Sequence, residues 1–179
     1  ELWSWLKLQE FSDTMKAAMR LTIVTAHRAA VISNMKKTHY DQESGVWAIP
    51  RKPKGSTEVG LMKSRRAFDA RLPIGLRHEL ERLITASQDC DYVFSIDGKR
   101  PINAESLRRN FKRFGPITTH GFRNTFKTWC LHNDVDDFLA DRYCDHAFKG
   151  LDKNYRRDDL FEQRAELAER YFDFIRGAS

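Results

Sequence analysis

The sequence predicts an α+β domain built mainly of helices, with one small three-stranded antiparallel sheet. Three observations lead there. Apolar residues recur at steps of three and four along several segments, the period of a helix that buries one stripe. Short β-prone runs are confined to residues 46 to 73, where prolines and basic turns interrupt them. No internal repeat or low-complexity tract divides the 179 residues, whose length suits one compact domain.

The elements follow in order. Residues 10 to 36 read as a helix or a close helix pair, because Met15, Met19, Ile23, Ala26 and Ala30 make one apolar stripe and Ser12 or Asp13 suits its cap. Val46-Trp47-Ala48-Ile49-Pro50 is a short strand that stops at a proline, as an edge strand does. Arg51 to Ser56 is a turn rich in Lys, Pro and Gly. Val59-Gly60-Leu61-Met62 and Ala67 to Pro73 then predict two strands around a tight basic turn, completing the sheet. Leu76, Leu80 and Leu83 keep helical spacing up to Thr85, and Tyr92-Val93-Phe94 is an apolar piece before an Asp97-Gly98 turn. Ala104 to Phe114 is a basic helix ended by Gly115-Pro116. His120 to Asn133 is helical, with Phe122, Phe126 and Trp129 as its aromatic stripe, and Phe138 to Tyr143 is a short helix. A C-terminal helix carries Phe161, Ala165, Ala168, Phe172 and Ile175 on one face, which must be buried on its own domain or on a neighbouring protomer.

Lys plus Arg number 31 against 25 Asp plus Glu, so the net charge of +6 favours a polyanionic partner. The charge is uneven: Arg51 to Arg71 is basic, and Asp134 to Asp145 is locally acidic. No apolar run of about 18 residues indicates a membrane span, and the first residues lack the basic start and apolar core of a signal peptide. Cys90, Cys130 and Cys144 show no C-x-x-C spacing and read as reduced thiols of a cytoplasmic protein.

The chemistry concentrates in Thr119-His120-Gly121-Phe122-Arg123, in His146, and in Lys153-Asn154-Tyr155-Arg156-Arg157. His120 and Arg123 lie three apart on a predicted helix and project to the same side. An arginine fork suits two phosphate oxygens at once, and histidines supply further donors or proton transfer. Tyr155 offers an oxygen nucleophile. A free phenol has a pKa near 10, so activating it near neutral pH costs roughly 4 kcal/mol unless a base or nearby cations assist. Upstream, Arg28 stands in Thr25-Ala26-His27-Arg28 among small and apolar residues, and so needs a partner, of which a phosphate is one candidate. His27 points elsewhere on a helix and reads as structural. In Met62-Lys63-Ser64-Arg65-Arg66, Lys63 at a hairpin tip is placed to protonate a leaving oxygen, whereas Arg65 and Arg66 suit DNA backbone contacts or solubility alone. Taken singly, each of these residues also has an ordinary surface or structural role.

Together they resemble the tyrosine recombinases, and more narrowly the integrases of bacteriophages and genomic islands. That pattern has an Arg after a Thr-Gly-type turn, a hairpin Lys, a His-x-x-Arg, a second His or Trp, and a Tyr about nine residues later. Arg28, Lys63, His120, Arg123, His146 and Tyr155 match it in order, and the likeness runs from about Phe11 to Ile175. Two positions depart from it. Val31 stands where the family commonly has an acidic residue, and Asp145 stands where it commonly has Gly, which is expected to alter the backbone at His146.

The resemblance implies a site-specific recombinase in which tyrosine attacks a DNA phosphodiester, stays linked to the 3′ phosphate and releases a 5′ hydroxyl. Bond energy is kept in the phosphotyrosine, so no cofactor and no metal are expected; no Walker-type loop is present. The implied partner is double-stranded DNA at attachment sites, bound by a homotetramer whose subunits are monomers when isolated. Residues 1–179 are expected to be a single catalytic domain without the DNA-binding domains that precede it in such integrases. A type IB topoisomerase and a catalytically silent DNA-binding module are the alternatives, the latter favoured by Val31 and Asp145.

Overall fold

The computed structural model describes residues 1–62, 64, 66–86, 89–146 and 160–177. In chain order the elements are α1 (Leu2–Leu8), α2 (Asp13–Thr25), α3 (Ala29–Ser33), a 3-10 turn (Lys37–His39), β1 (Tyr40–Asp41), β2 (Val46–Ile49), β3 (Phe68–Arg71), α4 (Ile74–Ala86), α5 (Ala104–Phe111), α6 (Gly121–His132), α7 (Asp137–Tyr143) and α8 (Phe161–Gly177). The architecture is α+β and mainly helical, with one three-stranded antiparallel sheet in the order β1-β2-β3.

The stripe over residues 10 to 36 resolves into a helix pair. Ser12 caps α2 by accepting a hydrogen bond from the Met15 N–H at 3.2 Å. Ala26 ends the helix with φ +53°, and its N–H bonds back to the Thr22 carbonyl. A left-handed alanine costs roughly 1–2 kcal/mol, offset here by complete burial of its methyl group. The break turns the chain so that Arg28 becomes the residue preceding α3. His27 therefore lies in a link, not on a helix, with its ring buried against Trp47 and Phe68.

The sheet has the expected size, and the runs at 46–50 and 67–73 supply β2 and β3, but its remaining strand is another one. Its first strand is Tyr40–Asp41, which pairs with Val46 and Trp47, and β2 then pairs with β3 from Val46↔Arg71 to Ile49↔Phe68. Val59–Met62 is not a strand. Gly60 takes φ +89°, and a Cβ there would sit 2.4 Å from the Asn34 Cβ, so this stretch lies against the end of α3. Met62 points into the core instead, with no exposed surface. The helix α1, also unforeseen, buries Trp3 and Leu6, and Trp3 meets Phe172 of α8 edge-on at 5.6 Å. Its two buried residues make too short a stripe to stand out in sequence.

Two hydrophobic clusters form the interior. The larger joins α1 to α5 with the sheet, and includes Val31. The smaller is aromatic and holds Phe126, Trp129, Tyr143 and Tyr171 from α6, α7 and α8, together with Ala26. Phe126 stacks on Tyr143 at 4.3 Å. The C-terminal helix packs on its own domain: Ala165, Leu167, Ala168, Tyr171 and Phe172 are buried, and Arg164 donates to the Asp69 carbonyl at 2.7 Å. Arg71 and Glu162 add an ion pair at 2.6 Å that straps the start of α8 to β3.

Candidate active site

The left-handed end of α2 organises the site. Its carbonyls face α6 and α7: the Arg123 Nε donates to the Ala26 carbonyl at 2.8 Å, and the Tyr143 hydroxyl donates to the Val24 carbonyl at 2.8 Å. Both bonds are buried, so the start of α3, with Arg28, is held in register with α6. Val31 belongs to the larger core, and Arg123 takes a backbone carbonyl as its partner in this site.

Arg123 is 2 % exposed. Its Nη2 and the Nη1 of Arg28 are buried and have no hydrogen-bond partner among the described residues. Burial lowers the Arg123 pKa from its usual value, and the neighbouring charge of Arg28 adds to that depression. Two guanidinium groups of like charge, with unused donors facing inward, are costly in the absence of an anion.

His146 follows α7. Its Nδ1 lies 2.9 Å from the Asp141 carboxylate, which also pairs with Lys127 at 2.6 Å. Burial alone would raise the Asp141 pKa, but the hydrogen bonds from Lys127 and His146 outweigh it and hold the carboxyl below its usual value. This arrangement orients the ring and leaves Nε2 as its outer nitrogen. Asp145, just before it, takes φ +54°. The residue thus adopts the left-handed conformation that glycine enters most freely, which aspartate tolerates better than most side chains do.

The structure thus brings together Arg28, Arg123 and the Asp145-His146 corner. Ser64, Arg66, Arg142, Asp145 and His146 line a cavity of about 30 Å³ beside it, and the Arg66 side chain is exposed. His120 is also exposed, immediately before the first residue of α6 and one turn ahead of Arg123; its carbonyl accepts from the Arg123 backbone N–H at 3.1 Å, and no side-chain hydrogen bond or ion pair among the described residues ties its ring to the arginine pair. Lys63, Arg65 and Tyr155 lie outside the described residues. Residues 147–159, which contain Tyr155, are preceded by the His146–Asp141 pair and followed by the start of α8 strapped to β3. Sequence reasoning missed Asp141, whose role depends on a contact formed around the end of α7. It also missed the left-handed backbone of Ala26 and Asp145, for which the only sequence signal was their place in the Thr-Gly-type turn and before the second His.

Residues 4–160 match the phage integrase family. The chain belongs to that family. A comparison with curated proteins gives no match. Among solved structures, the integrase from mycobacterium phage Brujita shares the fold with a TM-score of 0.69 at 17% identity, over 95% of this chain and 56% of that one. The Tn1549 transposon integrase in complex with transposon right end DNA gives 0.62 at 12% identity, over 86% and 60%. A lambda integrase dimer bound to a COC′ core site gives 0.60 at 16% identity, over 88% and 56%. At these identities the likeness is one of fold. The chain spans a little more than half the length of these structures. Among the described residues, no group of His, Cys, Asp or Glu is placed to hold a metal ion, and no helix is long and apolar enough to cross a membrane.

Proposed function

We propose that this phage integrase family chain is the catalytic domain of a site-specific DNA recombinase, which cleaves and rejoins strands through a 3′-phosphotyrosyl intermediate. The observation that carries the reading is the buried Arg123 beside the half-buried Arg28, each with one buried guanidinium nitrogen that has no partner among the described residues and fits a phosphodiester. Bound there, the scissile phosphate has its non-bridging oxygens on the two arginines and on His146, the donors that stabilise charge growing on those oxygens in the transition state. The Tyr155 oxygen forms a bond to phosphorus as the bond to the 5′ oxygen breaks. His120, exposed at the start of α6, takes the phenol proton, and Lys63 gives a proton to the departing 5′ oxygen. In the reverse step a 5′ hydroxyl attacks the phosphotyrosine, so strand exchange needs no external energy. Arg65 and Arg66 follow the DNA backbone, attachment-site duplexes are the substrate, and a tetramer holds two of them.

A duplex nicked close to the cleavage position tests this, because the short released strand diffuses away and traps the intermediate. The expected result is a protein–DNA adduct on denaturing electrophoresis, lost in Tyr155→Phe with DNA binding retained. Cleavage without an adduct, or an adduct that persists in Tyr155→Phe, overturns the assignment.

A further inference from the structure

Asp145 is one of the few non-glycine residues at positive φ among the described residues, and its carboxyl forms no ion pair with an arginine among them. The Ser64 hydroxyl and backbone N–H act on its carboxyl electrostatically and lower its pKa, while its Oδ2 is buried with no hydrogen-bond partner among the described residues. The Ser64 hydroxyl in turn accepts from the Arg66 N–H at 3.3 Å. Ser64, Arg66, Asp145 and His146 share the walls of one cavity. Asp145 is thus joined covalently to His146 on one side and shares a cavity wall with the β2–β3 connection on the other. Ser64 is the residue between Lys63 and Arg65, so whatever holds Ser64 limits where both neighbours can reach.

We propose that Asp145 is a positioning residue that clasps the β2–β3 connection against the phosphate-binding corner through Ser64. The proposal rests on the recombinase reading above for the chemistry that the clasp serves, but the clasp is measurable without it. The left-handed Asp145 and Ser64 line the same cavity, and a carboxylate there can accept from both Ser64 donors at once, which a glycine cannot. Burial raises the Asp145 pKa, against the lowering effect of Ser64, Arg123 and Arg28.

Three variants separate the clasp from a backbone role. Asp145→Gly removes the carboxyl and relaxes the left-handed backbone. Asp145→Asn keeps an acceptor oxygen and tolerates that backbone, and Ser64→Ala removes the hydroxyl donor alone. Trypsin cleavage after Lys63, Arg65 or Arg66, mapped by mass spectrometry on the 179-residue chain, reads the clasp directly. It should rise about tenfold in Asp145→Gly, the change expected for one lost charge-assisted contact, less in Ser64→Ala, and little in Asp145→Asn. Unchanged proteolysis in both Asp145→Gly and Ser64→Ala overturns the clasp. Adduct formation is then compared on nicked duplexes carrying oxygen or sulfur at the bridging 5′ position, where sulfur leaves with little need of protonation. If the clasp positions Lys63, Asp145→Gly loses rate on the oxygen substrate, regains it on sulfur, and is restored by Asp145→Asn. Faster proteolysis with equal loss on both substrates overturns the positioning role. If the wild-type chain forms no adduct on either substrate, the recombinase reading and the positioning role fall together, while the trypsin result still decides the clasp.

Discussion

His27 offers a quantitative test of how the arginine pair is housed. Its ring lies 5.7 Å from Trp47 and 5.2 Å from Phe68 between centroids, and neither ring nitrogen has a partner among the described residues. Burial pushes its pKa well below the usual 6.5, and the charges of Arg123, Arg164 and Arg28 push the same way. The folded chain therefore holds His27 neutral, which spares Arg28 and Arg123 a further positive neighbour. The unfolded chain protonates the ring near pH 6.5 and so binds more protons below that value. The stability from His27 is thus full above about pH 6.5 and is lost as the pH falls toward the depressed folded value. For a ring that stays neutral in the folded chain the loss reaches at most RT ln(1 + 10^(6.5 − pH)), about 0.06 kcal/mol at about pH 7.5 and about 1.4 kcal/mol at about pH 5.5. His27→Leu has no such proton to bind and keeps an apolar side chain between the two aromatic rings. With a urea slope of about 2 kcal/mol per molar, acidification should lower the wild-type midpoint by about 0.7 M more than that of His27→Leu. His39, whose pKa burial also lowers, is present in both chains and cancels from the difference. Equal shifts in the two chains would refute a neutral His27.

Arg28→Ala and Arg123→Ala should each slow adduct formation by roughly 10²–10³, the scale for one transition-state donor; a wild-type rate in either variant removes that residue from the pocket. Sulfate should raise the unfolding midpoint of the wild-type chain and not that of Arg123→Ala, since an anion bound only by the folded state stabilises it by RT ln(1 + [L]/Kd). Adduct formation should survive EDTA; loss on chelation and recovery with magnesium would point to nuclease-like chemistry. Truncation after Asp159 exposes faces that Leu167, Tyr171 and Phe172 now cover, at about 1.5–3 kcal/mol for each large side chain. That sum rivals a domain's whole stability, so circular dichroism should report an unfolded chain, and a stable truncated monomer would contradict cis packing.

Much of the fold was legible because period and stripe survive folding. Met15, Met19 and Ile23 are buried where their spacing put them, as are Phe122, Phe126 and Trp129, and the C-terminal stripe is buried through Ala165, Ala168 and Phe172. Two-residue β1 carries no alternation to read. Val59–Met62 misled for a physical reason: Leu61 and Met62 pack on the core from a glycine turn against α3 while Val59 is exposed, and composition alone does not separate that from a strand. In the candidate site, residue types and spacing made Arg28 and Arg123 readable, while their state was not. That both end with unused buried donors depends on Ala26 turning left-handed 97 residues before the guanidinium that its carbonyl accepts.

The same contact explains why the site lies where it does. Ala26 belongs to the aromatic cluster of α6, α7 and α8, whereas Ala29, Val31 and Ile32, which follow it within a turn of helix, belong to the larger core. The arginine pair therefore stands at the seam between two cores. A seam is the one interior place where a cleft opens without hollowing either core, and close packing makes such hollows costly. Its walls are also fixed by long-range contacts, namely Arg123 and Tyr143 on the end of α2, so the donors stay pointed inward when no anion fills the space. The folded chain holds the buried Arg123 beside the Arg28 charge in advance, and on the function proposed above an arriving phosphate would relieve that cost. Binding and preorganisation would then be one property of this seam, and weakening the aromatic core at Ala26 should loosen both.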